Sequence, residues 1–243
     1  MQYHEDIQRI CAAHGAECLL EEPMRLHTSF KIGGPAELFV KPRDTDCIAA
    51  LSRYCKEHDI PVTIIGKGSN LLVADTGLRG VVIRLGAGFG GISLEDETTI
   101  RCSAGLPLAQ VCYFAYRHAL TGLEFAWGIP GSAGGAAYMN AGAYGGEMKD
   151  VLVACSHLSA DGTPGEFAGE ALDLSYRHSV YTDSDKCITG LTIRLKKGNP
   201  EEIRARMDDL MSRRKTKQPL EYPSAGSTFK RLRHASALIE QWA

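Results

Sequence analysis

The residues with the types and spacing to do chemistry fall into two glycine-rich stretches and two short polar loops. In Gly66-Lys67-Gly68-Ser69-Asn70-Leu71 the glycines let the backbone curl until successive N–H groups converge on an anion. A pyrophosphate is the natural guest, and Ser69 and Asn70 add side-chain donors. A tight polar turn between two strands is the competing explanation of the same residues. The second stretch, Gly128 to Gly145, is built almost entirely of small residues. A large flat group can lie directly against such backbone, along Gly128, Ile129, Pro130, Gly131, Ser132, Gly134 and Gly135 and on to Asn140 and Gly142. Close packing of a helix on a sheet is the alternative use of so many small side chains.

The polar loops are Ser175-Tyr176-Arg177-His178-Ser179 and Ser224-Ala225-Gly226-Ser227-Thr228-Phe229-Lys230. Arg177 offers a planar fork that grips a carboxylate or stabilises developing negative charge. A lone loop arginine is otherwise a solvated surface group. Ser227 sits at a tight bend, yet GxSxG is absent and no triad surrounds it, so proton donation or plain hydrogen bonding are its possible roles. Gly86-Ala87-Gly88-Phe89-Gly90-Gly91 matches GxGxxG, but Ile92 to Glu97 and then a strand follow it where a dinucleotide fingerprint needs a helix. A Rossmann domain is therefore discounted. No GxxxxGK[ST] string supports a P-loop.

These loops hang on a pattern of alternating strands and helices, which makes the fold class α+β. Tyr3, Ile7, Ile10 and Cys11 recur at helical spacing up to Gly15. Ala36 to Lys41 reads as a strand, and Asp44 caps a helix with Ile48, Leu51, Tyr54 and Cys55 on one face. Val62 to Ile65 reads as a short buried strand, with further strands at Val81 to Leu85, Thr99 to Cys102, Val151 to Leu158 and Cys187 to Leu195. Pro107 opens a helix bearing Leu108, Val111, Cys112 and Ala115. The last helix starts at Asn199-Pro200 with Glu202 at capping-box distance, and carries Ile203, Met207, Leu210 and Met211 on its apolar side. Arg213, Arg214, Lys215 and Lys217 complement its dipole before Pro219 stops it.

Composition limits the function classes. A chain of 243 residues with 44% hydrophobic and 23% charged residues buries a real core, and its net charge of −2 argues against coating nucleic acid. The acidic start Met1-Gln2-Tyr3-His4-Glu5-Asp6 is unlike a secretory leader, and no apolar run is long enough for a bilayer, so a cytoplasmic protein is expected. The eight cysteines show no CxxC pair and no histidine cluster at zinc spacing, which predicts neither a metal nor a disulfide framework.

Taken in order, Thr28-Ser29-Phe30-Lys31-Ile32-Gly33-Gly34-Pro35-Ala36, the Gly66 to Leu72 turn, the Gly128 to Gly145 stretch, Tyr176-Arg177-His178-Ser179, and Lys217-Gln218-Pro219 leading to Ala225-Gly226-Ser227 resemble the UDP-N-acetylenolpyruvoylglucosamine reductases. The spacing matches the second, shorter type. The resemblance implies a two-subdomain FAD-binding fold of the PCMH type over 1–97 and 98–198. A connecting helix and the start of an incomplete α+β substrate domain would follow over 199–243. It implies FAD held by the two glycine stretches, NADPH as electron donor, and a UDP-sugar substrate met by Tyr176 and Lys217, the latter at the diphosphate. Arg177 and Ser227 become the charge-stabilising cation and the proton donor of a reduction that makes a cell-wall precursor. Monomeric state is expected, with no nucleic acid and no membrane insertion. The family pattern continues past the serine loop into a longer domain bearing a catalytic glutamate. Leu232 to Ala237 departs from that pattern, Leu238 to Gln241 briefly rejoins it, and Glu240 lies too early for that glutamate. A truncated, non-catalytic FAD-binding remnant and another FAD-dependent oxidase are the alternatives.

Overall fold

A computed structural model of the chain describes residues 2–218 and 220–224. Its first half is a four-stranded sheet with two helices on one face. The helix α1 (Gln2–Ala13) leads into β1 (Glu17–Pro23) and β2 (Pro35–Lys41), then α2 (Thr45–Glu57), β3 (Val62–Ile65) and β4 (Leu78–Arg84). The spatial order is β1-β2-β4-β3, with β1 antiparallel to β2 and both β2 and β3 parallel to β4. Asp44 caps α2 as expected, its carboxylate accepting from the Cys47 N–H at 2.8 Å.

The second half runs β5 (Ile92–Leu94), β6 (Thr99–Ser103), α3 (Leu108–Arg117), β7 (Leu120–Thr121), α4 (Ala133–Tyr138), β8 (Gly142–Ala143), β9 (Gly146–Glu147), β10 (Leu152–Leu158), β11 (Pro164–Ala168), β12 (Cys187–Arg194), β13 (Lys196–Lys197) and α5 (Pro200–Lys217). Five of these strands form an antiparallel sheet ordered β11-β10-β12-β6-β5. The GxGxxG-like string connects β4 to β5, and no helix follows it.

One contiguous core joins the two halves. Ile7 and Cys11 of α1 and Cys47, Ile48, Leu51 and Cys55 of α2 pack with Leu38, Val40, Val81 and Ile83 of the first sheet. The same cluster reaches Ile100, Cys102, Cys155 and Leu191 of the second. Each fully buried aliphatic side chain contributes about 1.5–3 kcal/mol, so the two helices act as filling between the sheets. On the other face of the first sheet lies a smaller cluster of Met24, Phe39, Ile65, Val73 and Val82. That face carries the first glycine turn.

Two local expectations change. The run Val62 to Ile65 is an edge strand, and Val62 and Ile64 are each 37% exposed. Its β-branched residues reflect strand propensity on a half-covered face, which composition alone does not separate from a buried strand. At α5, Asn199 accepts from the Glu201 N–H at 2.9 Å. No reciprocal bond from Glu202 forms among the described residues, so this is a simple cap with Pro200 at its first turn. Seven of the eight cysteines are buried and Cys18 is half-buried, and all are free thiols, as small apolar side chains would be.

Candidate functional site

The first turn leaves β3 at Ile65 and folds back across the small cluster. Among the described residues, none of the backbone N–H groups from Lys67 to Val73 finds an acceptor within the chain. Such a run of open amides is a nest for an anion. The conformation depends on glycine at one position above all. Gly68 has φ +63°, and a Cβ added there would lie 2.1 Å from the His27 carbonyl oxygen. Ser29 N–H donates to the Gly68 carbonyl at 3.1 Å, fixing the turn from the other side.

The second glycine stretch comes directly against the first. Ser69 Oγ donates to the Pro130 carbonyl at 2.9 Å, and Asn70 Nδ2 lies 3.7 Å from the Met139 sulfur. At Gly66 a Cβ would sit 2.0 Å from Ser132 Oγ, so the two stretches touch with no room for a side chain. The side-chain donors of Ser69 and Asn70 thus bridge the stretches, and the open donors of the first turn are its main-chain amides. Ser132 is buried and caps the short helix α4, accepting from Gly135 N–H at 3.3 Å. The N–H groups of Gly131 and Ser132 also lack acceptors among the described residues. Beyond α4, Gly142 lies in a small hairpin of β8 and β9 turned at Tyr144 and Gly145, both with positive φ.

Arg177 stands at the tip of a turn closed by paired backbone bonds between Ser175 and His178, at 3.2 and 3.1 Å. Its φ is +57° and its guanidinium lies 5.7 Å from the Tyr176 ring. Arg177 is half-buried and pairs with no carboxylate among the described residues, whereas His178 is engaged with Asp173 at 3.0 Å. The turn is tied to the second glycine stretch at two places. Asn140 Nδ2 donates to the Ser175 carbonyl at 3.0 Å, and Ser179 Oγ to the Tyr138 carbonyl at 2.8 Å. Asn140, with φ 39°, also donates to Glu147 at 2.7 Å and accepts from Lys149 N–H at 2.9 Å.

A residue with no signal of its own in the sequence joins this region. Arg214, on the last turn of α5, packs across Gly128, where an added Cβ would be 3.0 Å from its Cδ. Burial lowers its pKa, partly offset by the nearby Tyr144 hydroxyl. Its place among four basic residues at a helix end made it look like a dipole partner only. Lys217 is exposed at the end of the same helix. Ser227 lies outside the described residues, as does Pro219.

The structure therefore brings together Gly66 to Leu71, Gly128 to Asn140 and the Arg177 turn. That arrangement can hold an anion on open amides, seat a flat group on side-chain-poor backbone, and present an uncompensated cation nearby. A family model described as an FAD binding domain matches residues 36–167. UDP-N-acetylenolpyruvoylglucosamine reductase of Syntrophomonas wolfei is 49% identical over 212 residues, covering 87% of this chain and 71% of that protein. The enzyme of the same name from Agathobacter rectalis is 47% identical over 224 residues, covering 88% and 71%.

The chain belongs to the UDP-N-acetylenolpyruvoylglucosamine reductase family.

The crystal structure of the Thermus caldophilus reductase of this family superposes with a TM-score of 0.74 at 31% identity, covering 93% of this chain and 79% of that one. Cholesterol oxidase from Brevibacterium sterolicum shares the fold alone, at a TM-score of 0.57 and 12% identity. Membership in the reductase family makes the chain an FAD-type oxidoreductase, with the two-subdomain α+β architecture expected of it. No helix among the described residues is long and apolar enough to cross a membrane.

Proposed function

We propose that this chain reduces UDP-N-acetylglucosamine enolpyruvate to UDP-N-acetylmuramate, with NADPH as electron donor and FAD as the bound carrier, in the bacterial cytoplasm and as a monomer. The observation that carries the reading is the meeting of two glycine stretches through Ser69 and Pro130, with open main-chain amides on both. A diphosphate needs several converging donors and no intervening side chain, and these residues fit that need. Gly66, Lys67, Gly68, Ser69, Asn70 and Leu71 hold the FAD diphosphate. Gly128, Ile129, Pro130, Gly131, Ser132, Gly134 and Gly135 line its ring system, with Asn140 and Gly142 behind them.

FAD held there, once reduced by NADPH, would supply a hydride to the vinyl group of the substrate. The residues of the chain manage the charge that this creates. Negative charge builds beside the substrate carboxylate, and Arg177 stabilises it with a fork unspent on any described carboxylate. The protonation that completes the reduction is assigned to Ser227, a weak acid in water but a usable donor to a strongly basic carbon in a closed site. Tyr176 and Lys217 bind the UDP-sugar, Lys217 at its diphosphate. Asn140 and Ser179 hold the Arg177 turn in register with the flavin-lining stretch.

Anaerobic reduction tests this reading. NADPH should bleach the yellow chain, and addition of the enolpyruvyl UDP-sugar should restore the colour. A chain that binds FAD yet is never bleached is a flavin-binding protein without this activity.

A further inference from the structure

Beneath the first glycine turn runs a polar chain, half-buried at its two ends and buried at its centre, that the proposed reaction does not use. Glu22 Oε1 on β1 lies 2.7 Å from His27 Nε2, and His27 Nδ1 lies 3.0 Å from Arg84 Nη1 on β4. The imidazole is 8% exposed and stacks on Phe39, with ring centroids 4.1 Å apart. A guanidinium can only donate, so Nδ1 is the acceptor and the ring proton sits on Nε2, directed at Glu22. One neutral tautomer satisfies both neighbours. Arg84 Nε is buried with no acceptor among the described residues. The guanidinium is therefore oriented by His27, and no carboxylate pairs with it among the described residues.

The position of this chain links it to the turn. Arg84 pairs with Ile65, the residue just before Gly66. The carbonyl of His27 is the atom that a Cβ at Gly68 would strike, and Ser29, two residues on, bonds the Gly68 carbonyl. His27 thus holds Arg84 with its side chain and bounds the turn with its main chain. We infer that Glu22, His27 and Arg84 form a positioning device for a dinucleotide diphosphate at the Gly66 to Asn70 turn: His27 fixes the turn from below and orients a permanent cation beneath it. The role rests on the reading of that turn as the FAD diphosphate site. An ordered, partly desolvated cation attracts an anion more strongly than a mobile solvated one.

The test is the FAD dissociation constant of the full chain, read from flavin fluorescence quenching, with thermal melting as a check on folding. His27→Leu keeps the packing on Phe39 but removes both polar contacts. It should weaken FAD binding about ten- to a hundredfold, the effect of losing one charge-assisted hydrogen bond. Arg84→Met should do the same, and His27→Leu should add little in the Arg84→Met background. His27→Gln, whose amide can accept from Arg84 and donate to Glu22, should restore most of the affinity. Wild-type affinity in both His27→Leu and Arg84→Met overturns the inference, as does a loss confined to His27→Leu, which would leave Arg84 without a part in holding the diphosphate. If His27→Leu does not fold, Arg84→Met and Arg84→Lys decide it alone. A wild-type chain that binds no FAD overturns the cofactor assignment itself, and the device with it.

Discussion

Asn140 reaches the Ser175 carbonyl from the second glycine stretch, at 3.0 Å, and in doing so holds the turn on which Arg177 stands. This buried amide, together with the Ser179 hydroxyl on the Tyr138 carbonyl, sets the cation against the small-residue backbone. Asn140→Ala removes two donor bonds and an acceptor at a site 2% exposed, and gives up a residue type that tolerates left-handed backbone. The expected cost is about 2–4 kcal/mol, or about 5–15 °C in melting temperature. Asn140→Asp should be at least as damaging, because a carboxylate would then face Glu147. Thermal and urea melts of the three chains check both statements.

Arg177→Ala should lower turnover by about a hundred- to a thousandfold, the usual effect of removing one charge-stabilising donor. Flavin content should be unchanged, since Arg177 stands on a separate turn from the open amides. Arg177→Lys keeps the charge without the fork and should recover only part of the rate. Turnover and bound flavin measured on the same samples separate these effects.

Gly68→Val places a β-branched side chain at φ +63° against the His27 carbonyl. The strain is about 1–3 kcal/mol before any clash is counted, and relief requires the turn to move. FAD retention after gel filtration should fall while far-UV circular dichroism stays that of the wild type. Gly145, also at positive φ but with open space around its would-be Cβ, is the control, and Gly145→Asn should retain flavin.

Glu37 gives the fold an acid sensitivity of its own. Burial raises its carboxyl pKa, but donation from the Tyr3 hydroxyl, Gly80 N–H and His4 outweighs burial and brings it to about 2 from an ordinary 4.5. A depressed carboxyl pKa stabilises the fold above the unfolded-state value, and that contribution fades as pH falls towards the folded-state value. Wild type should therefore lose stability relative to Glu37→Gln between about pH 4.5 and 2, and the two denaturation midpoints should converge in that window. A gap that stays constant through it would contradict the assignment.

Much of the scaffold is legible from local pattern. The Asp44 cap, the β2 and β4 strands and the α5 start follow from residues next to one another in sequence. The edge position of Val62 to Ile65 is not legible, because exposure of a strand face depends on what packs there. The glycine stretches are open in sequence to two readings each, an anion nest or a tight polar turn for the first and a seat for a flat group or close helix–sheet packing for the second. Their contact through Ser69 and Pro130, 61 residues apart, belongs to the tertiary fold. Arg84, His27 and Glu22 carry no motif at all; only the pairing of β2 with both β1 and β4, and the path of the chain after β1, bring them together. Arg214 was hidden by its neighbours, since in a basic helix end each cation looks alike until one is seen against Gly128.

Titration of FAD into the purified, flavin-free chain bears most directly on the central claim, that two side-chain-poor stretches form one dinucleotide cradle. Saturation near one FAD per chain, lost in Gly68→Val, is the expected result. A folded wild-type chain that stays colourless, or one that binds FAD equally well with valine at position 68, would contradict it.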